Sequence, residues 1–521
     1  MAGGAQTEEL LASKEAVIRR GLTFKRVLEN LNAAGNHALQ DNTVWLVSLF
    51  ALLALQASLI ISHAPWLDEY QAAQIALQSP DFPVLLENLR YEGHPPLWYL
   101  VLQLVGLAVP PAWVLPAAQL PIALAMQALI LSRPQFTRLE RLLIASSVFF
   151  FFDYGVLSRS LSLGVLLAVA AFAFPRRRIA WVCIALMPMT DFLFGVISVV
   201  WLTMAWADRN RSFAGIVIWL LSGLIAAWTV RPAPDMHPAL LLGTPLIDAL
   251  IYLVRLSALL VPFPISEGVL QWNTTLPMPF SLMAGIIFPC FVWSVCRPVK
   301  LHGILIAAFV SLTAIFSIAV YPLPIRHLSL ICLLMLMLVL NAREKGIREP
   351  ASFRLWLWVI AAGGLLSAVA SISRPFDTAS EAARYIRSKG LVDKHWVVFP
   401  DSRAQGISAL TGMEFERLER GCTQSFVRWN YRSEIRSFYK LVGVLTNLRD
   451  RYGRFYLLSD ELYPTSLSAG LIKRLHSVPA GYDGQEYHIY VVGPDRREST
   501  KLPSQCAPER VQMTPWSPAS Y

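Results

Sequence analysis

Long apolar runs alternate with short basic links along most of the chain. Thr43–Ile61, Val114–Leu131, Phe213–Val230, Phe280–Val295, Ile304–Tyr321 and Leu355–Ser371 are each about fifteen to twenty residues long, the length a helix needs to cross a bilayer. Leu142–Tyr154, Leu161–Phe174 and Leu328–Leu340 are shorter runs that the alternation requires to cross as well. Leu97–Val109 is closed by Pro110-Pro111 and reads as an interfacial or re-entrant helix. Ile179–Trp206 is too long for one helix, and Pro188-Met189-Thr190-Asp191 breaks it into a short pair.

The basic residues gather between these runs: Arg133, Arg138 and Arg141, then Arg176 to Arg178, Arg209 and Arg211, Arg297 and Lys300, and Arg343, Lys345 and Arg348. Putting every cluster on the cytoplasmic side gives a consistent topology of about eleven crossings. Residues 1–42 are polar. Leu10–Leu31 has the pattern of a basic amphipathic helix lying on the anionic inner leaflet, which fixes the N-terminus in the cytoplasm. The membrane part then spans residues 43–371, with a first external loop at 62–112 and a second long external segment that includes the amphipathic run Leu246–Val261.

Beyond Ser371 the pattern changes to alternating helix and strand. Thr378–Lys389 and Glu434–Leu448 read as helices; His395–Pro400, Arg454–Ser459 and Tyr487–Gly493 read as strands. Residues 372–496 are expected to form an external α/β domain, followed by a loose tail at 497–521. The fold class is a polytopic α-helical membrane protein with a C-terminal external α/β domain, placed in the inner (plasma) membrane.

Composition sharpens this picture. Of 521 residues, 55% are hydrophobic and 15% charged, with a mean hydropathy of +0.48, which excludes an ordinary soluble globule. The net charge of +10 sits in the links between apolar runs, and no basic face studded with aromatics is present, so nucleic acid is not a partner. No phosphate-binding glycine loop, H-E-x-x-H or G-x-S-x-G occurs, which argues against cytoplasmic nucleotide hydrolysis. The six cysteines show no metal-ligand spacing. Cys422 and Cys506 fall in the external domain, an oxidising place in a bacterial cell, and a disulfide between them is expected over two separate thiols.

The stretch Trp66–Tyr99 carries the densest candidate chemistry. Asp68-Glu69 follows the first membrane helix, where a carboxylate is costly to desolvate. A structural alternative is an N-cap at Asp68 with Gln71 as its capping-box partner. His94-Pro95-Pro96 starts the next helix, so His94 either caps it or faces the site. Arg159, Arg326 and His327 are cations at the external face, against the charge bias of the chain; each alone could be an interfacial anchor. Together they offer guanidinium forks and an imidazole suited to a phosphate. Asp191, at the broken helix pair, lines the same cavity or caps a helix; Asp153 and Arg231 are weaker candidates of that kind.

These motifs resemble the GT-C glycosyltransferases. An acidic pair after the first membrane helix, then His94-Pro95-Pro96-Leu97 leading into an apolar helix, is similar to the first external loop of protein O-mannosyltransferases and bacterial aminoarabinose transferases. Ser158-Arg159-Ser160, Thr190-Asp191-Phe192, Arg326-His327 and Val397-Val398-Phe399-Pro400-Asp401 fit the same pattern. The resemblance implies transfer of a sugar from a polyprenyl-phosphate carrier to a glycan, lipid or protein acceptor at the outer face of the cytoplasmic membrane, with inversion. It implies Asp68 as base, Glu69 as its orienting or acceptor-binding neighbour, and Arg159, Arg326 and His327 on the lipid phosphate, with His94 and Asp191 beside them. A divalent metal is left open, because the second external loop lacks the acid many members carry beside the Arg. The competing reading is a transporter or flippase of lipid-linked glycans, against which stand the lack of an internal repeat and the placement of the charges at one face.

Overall fold

The computed structural model describes residues 26–234, 245–263, 276–418, 421–429, 435, 437–464, 470–497 and 503–504. Most of the expected N-terminal helix lies outside them; residues 26–38 are helical. Among the described residues, six helices are long and apolar enough to cross a bilayer: Asn42–Ser62, Pro111–Leu131, Met278–Cys296, Lys300–Ala319, Ile325–Glu344 and Ser352–Ser373. Five shorter apolar helices, Leu97–Gly106, Ser160–Ala173, Arg178–Met189, Phe192–Ala207 and Phe213–Thr229, complete the bundle with them.

Two stretches depart from the expected pattern. Leu142–Tyr154 is not one helix: Arg138–Ala145 stops, and Val148–Asp153 continues as a π-helical turn with Phe149 to Phe152 fully buried. The wider turn frees backbone carbonyls that lipid could not satisfy. Three buried glutamines from neighbouring helices donate to carbonyls along it. Gln119 Nε2 reaches Tyr154 O at 2.8 Å, Gln127 Nε2 reaches Ala145 O at 3.0 Å, and Gln56 Nε2 reaches Phe151 O at 3.3 Å. Leu246–Val261, expected in an external segment, forms the helix Pro245–Leu260, packed along Met278–Cys296 and Lys300–Ala319. The absence of a side chain at Gly285 permits this: a Cβ there would stand 2.0 Å from the Leu253 carbonyl oxygen. Apolar side chains at helical spacing gain more from that groove than from water.

The C-terminal unit is a six-stranded sheet of order β3-β2-β1-β4-β6-β5. The strands are β1 (Trp396–Val398), β2 (Phe415–Arg417), β3 (Thr423–Gln424), β4 (Phe455–Ser459), β5 (Ile472–Val478) and β6 (Tyr487–Val492). β2, β1 and β4 are parallel, with Val397 level with Glu416 and Leu457; β6 runs antiparallel to β4, with Tyr490 opposite Leu457. Helices cover both faces, which is why the central strands β1 and β4 are buried along their whole length. Trp396 and Val398 face Ala382, Ile386 and Ile407, while Val397 and Leu457 face Leu441, Leu445 and Leu448. β2, β3, β5 and the helix Gln405–Thr411 were not legible in the sequence, being short or highly polar.

The sheet unit docks on one end of the bundle. Phe376, just after the last long helix, packs against His63, Trp66, Phe152 and Tyr482 at centroid distances of 5.2 to 6.4 Å. Gln71 grips the strap after β3 in both directions: its amide nitrogen donates to Val427 O at 2.7 Å, and Val427 N donates to its oxygen at 3.0 Å. The other end holds the basic links. There Arg343 forms a fork onto Glu140 at 2.7 and 2.9 Å, one helix length (~25 Å) from Arg326. Cys422 is disulfide-bonded, and Cys183, Cys290, Cys296 and Cys332 are free; Cys506, its expected partner, lies outside the described residues.

Candidate functional site

The site lies at the sheet-bearing end of the bundle. Its floor is the start of the helix Leu67–Gln78, entered from the first long helix through a short linker at residues 63–66. Glu69 takes the capping role that the sequence offered to Asp68 and Gln71. Its carboxylate accepts from Trp66 N at 3.1 Å, the Glu half of a capping box, and lies 2.8 Å from His63 Nε2. It also accepts from Ser158 N at 2.6 Å, tying down the loop that carries Arg159. The Glu69 side chain has no exposed surface. It therefore positions the loop rather than meeting a substrate, a narrower role than the sequence assigned.

Freed from capping, Asp68 is about a quarter exposed. Arg159 Nη1 sits 2.5 Å and Arg326 Nη2 2.9 Å from its Oδ2. Both guanidiniums lie over the indole of Trp66, at 5.8 and 5.0 Å from the ring centroid, which holds two like charges side by side. Burial pushes the Asp68 carboxyl up, but Arg159 and Arg326 outweigh it and hold the group below its ordinary range.

Each arginine is aimed by its backbone. Arg159 precedes the helix Ser160–Ala173 in extended conformation. Arg326 follows Pro322-Leu323-Pro324, whose carbonyls at Pro322 and Leu323 accept from Arg255 Nη1 at 2.5 and 2.9 Å. Tyr154, at the end of the π turn, donates to Arg326 O at 2.9 Å. The aiming role of Arg255 was missed in the sequence because its helix was placed elsewhere.

A second cluster adjoins the first. His94, Asp191 and His327 bring one nitrogen or oxygen each within 4.8 Å of one another, the type and number of ligands that hold a divalent ion. His94 does not cap the next helix, whose N-cap is Pro96; its Nδ1 meets Glu92 O at 2.9 Å. Burial lowers the His94 imidazole despite the nearby Asp191. Asp191 fills both roles foreseen for it: it caps the helix Phe192–Ala207 through Leu193 N at 2.9 Å, while its Oδ2 stands 3.9 Å from His327 Nε2. Arg159 and Arg326 both bear electrostatically on Asp191 and His327, so the two clusters are one site.

Glu92 is the member that sequence reading passed over, although it stands two residues before His94. Its Oε1 accepts from Gln71 Nε2 at 2.7 Å, and burial pushes its carboxyl up to about 7. Of the weaker candidates, Asp153 is buried at the end of the π turn, and Arg231 lies over Trp228 at 5.5 Å. Thus Asp68, His94, Arg159, Asp191, Arg326 and His327 converge, with Glu69 beneath them. Comparison of the chain with protein-family models, curated proteins and solved structures gives no match.

Proposed function

We propose that the protein is a membrane glycosyltransferase of GT-C type, transferring a sugar from a polyprenyl-phosphate carrier to an acceptor hydroxyl of a glycan, lipid or protein. In this reading the chain crosses the inner membrane about eleven times, with the basic links in the cytoplasm and the sheet unit outside. The observation that carries it is the pairing of a partly exposed Asp68 with both Arg159 and Arg326. Two guanidiniums converging on one carboxylate oxygen form an anion cradle, and the carboxylate occupies the place a phosphate oxygen would take.

A donor phosphate competes for the arginines and releases Asp68. The acceptor oxygen then bonds to the anomeric carbon on the face opposite the phosphate. The carbon–oxygen bond to the phosphate breaks, and its electron pair leaves with the polyprenyl phosphate, where Arg159 and Arg326 meet the charge. The acceptor proton passes to Asp68. Trp66 keeps the guanidiniums in a setting where each contact is stronger than in water.

Mass spectrometry of cell-envelope glycans with and without the protein tests the reading: one sugar substituent is expected to disappear. In membranes, Asp68→Asn is expected to lose transfer at unchanged expression, and Arg326→Ala to raise the KM for donor. Identical envelope glycans in the two strains overturn the proposal; transfer at the wild-type rate by Asp68→Asn removes the base role.

A further inference from the structure

We propose that His94, Asp191 and His327 form a binding site for one divalent transition-metal ion of the zinc class, beside the arginine cradle. The three side chains come from separate parts of the chain, and their ligand atoms lie within 4.8 Å of one another. Two imidazoles and one carboxylate are a ligand set that zinc and its neighbours accept, and three protein ligands leave positions open for an outside oxygen.

His94 and Asp191 are each prepared for the task by a partner outside the cluster. The His94 Nδ1 faces the Glu92 carbonyl at 2.9 Å and so must carry the ring proton, which leaves the Nε2 lone pair bare. Asp191 spends Oδ1 on Leu193 N, which fixes the carboxylate plane and turns Oδ2 toward His327. The break at Pro188 and Met189 creates this position, because a helix start leaves the backbone N–H two residues on free for the side chain. His327 is the telling member. Its Nδ1 is buried with no hydrogen-bond partner among the described residues, and its Nε2 is 3.9 Å from Asp191, beyond hydrogen-bond reach. A buried imidazole left so is costly, and a cation shared with Asp191 at Nε2 removes part of that cost.

On the transferase reading, on which this part of the inference rests, the ion lies next to Arg159 and Arg326 and offers its open positions to the donor phosphate. Metal and phosphate then bind with positive coupling, because each relieves the charge the other brings.

The test uses the full chain in lipid nanodiscs, stripped with chelator and titrated with cobalt(II) chloride. One equivalent is expected to bind with visible d–d absorption, and zinc chloride is expected to displace it. Asp191→Asn and His327→Gln are each expected to lose the band and at least about tenfold in affinity. Thermal melting of the wild type is expected to fall on chelation, a readout independent of the variants. Absence of a stoichiometric cobalt band in the wild type, or its persistence in Asp191→Asn/His327→Gln, overturns the site. Polyprenyl monophosphate is then added: tighter cobalt binding supports the coupling, whereas unchanged binding keeps the metal site and counts against the transferase reading alone.

Discussion

Arg326 donates to Asp68 at 2.9 Å across 258 residues of chain, and Arg159 closes on the same carboxylate oxygen from the other side. Removing the acid leaves two guanidiniums facing each other over one indole. Asp68→Ala is therefore expected to destabilise the protein on the order of 2 kcal/mol, less than for a fully buried pair because the carboxylate retains some solvent. Arg326→Ala in the same background is expected to restore part of that loss. Thermal melting of the single and double variants in nanodiscs measures the coupling; strictly additive losses would contradict the pairing.

Glu69 satisfies two backbone N–H groups and lies against His63, all from a position without solvent. Glu69→Ala leaves those groups unpaired and is expected to cost roughly 3 kcal/mol. Amide hydrogen exchange at Ser158 is expected to quicken selectively, since the loop before Arg159 loses its tether. Exchange that rises evenly over the bundle would mean that Glu69 supports the fold at large.

In the sheet unit Asp377 and Asp483 form a buried carboxyl pair. Asp377 accepts from Ala379 N at 2.5 Å and from the Tyr487 hydroxyl at 3.0 Å; Asp483 accepts from Gln485 N at 3.0 Å. Burial, reinforced by the Asp377 charge, pushes Asp483 up to about 8, and burial raises Asp377 to about 6. Both folded values lie above the unfolded value near 3.8, so the folded state holds more protons between. Stability from this pair is full only below the unfolded value near 3.8 and is lost as pH rises from there through about 6 and about 8. The melting temperature is expected to fall over that window in the wild type, and to fall less in Asp483→Asn, which keeps the contact without the charge.

Gly285 and Gly223 both lie in apolar helices but differ in what surrounds them. A Cβ at Gly285 would meet the Leu253 carbonyl at 2.0 Å, whereas nothing stands within 4 Å of one at Gly223. Gly285→Ala is expected to push apart the helices Pro245–Leu260 and Met278–Cys296 and to reduce folded yield severely. Gly223→Ala is expected to be neutral or slightly stabilising. Size-exclusion profiles of the two variants side by side check both.

How far the sequence reaches is clearest at particular residues. The long apolar helices were legible to within four residues at either end, Asn42–Ser62 against Thr43–Ile61 and Lys300–Ala319 against Ile304–Tyr321 for example, because period and length are local properties of the chain. The break at Asp191 was legible because proline acts on its own backbone. Asp68, His94, Arg159, Asp191, Arg326 and His327 could be nominated one by one, since a charge beside an apolar run is anomalous wherever it stands.

Tertiary structure alone decided which of them meet and what each does there. Glu69 and Asp68 are adjacent in sequence, yet one is a buried tether and the other is partly exposed between two guanidiniums, because consecutive helical positions point about 100° apart. The π turn at Val148–Asp153 depends on glutamine amides supplied by two other helices, and the aim of Arg326 depends on Arg255 from a third. Such partners leave no periodic trace in the sequence. Apolar pattern is written locally, whereas hydrogen-bond satisfaction between distant segments exists only once the segments are packed.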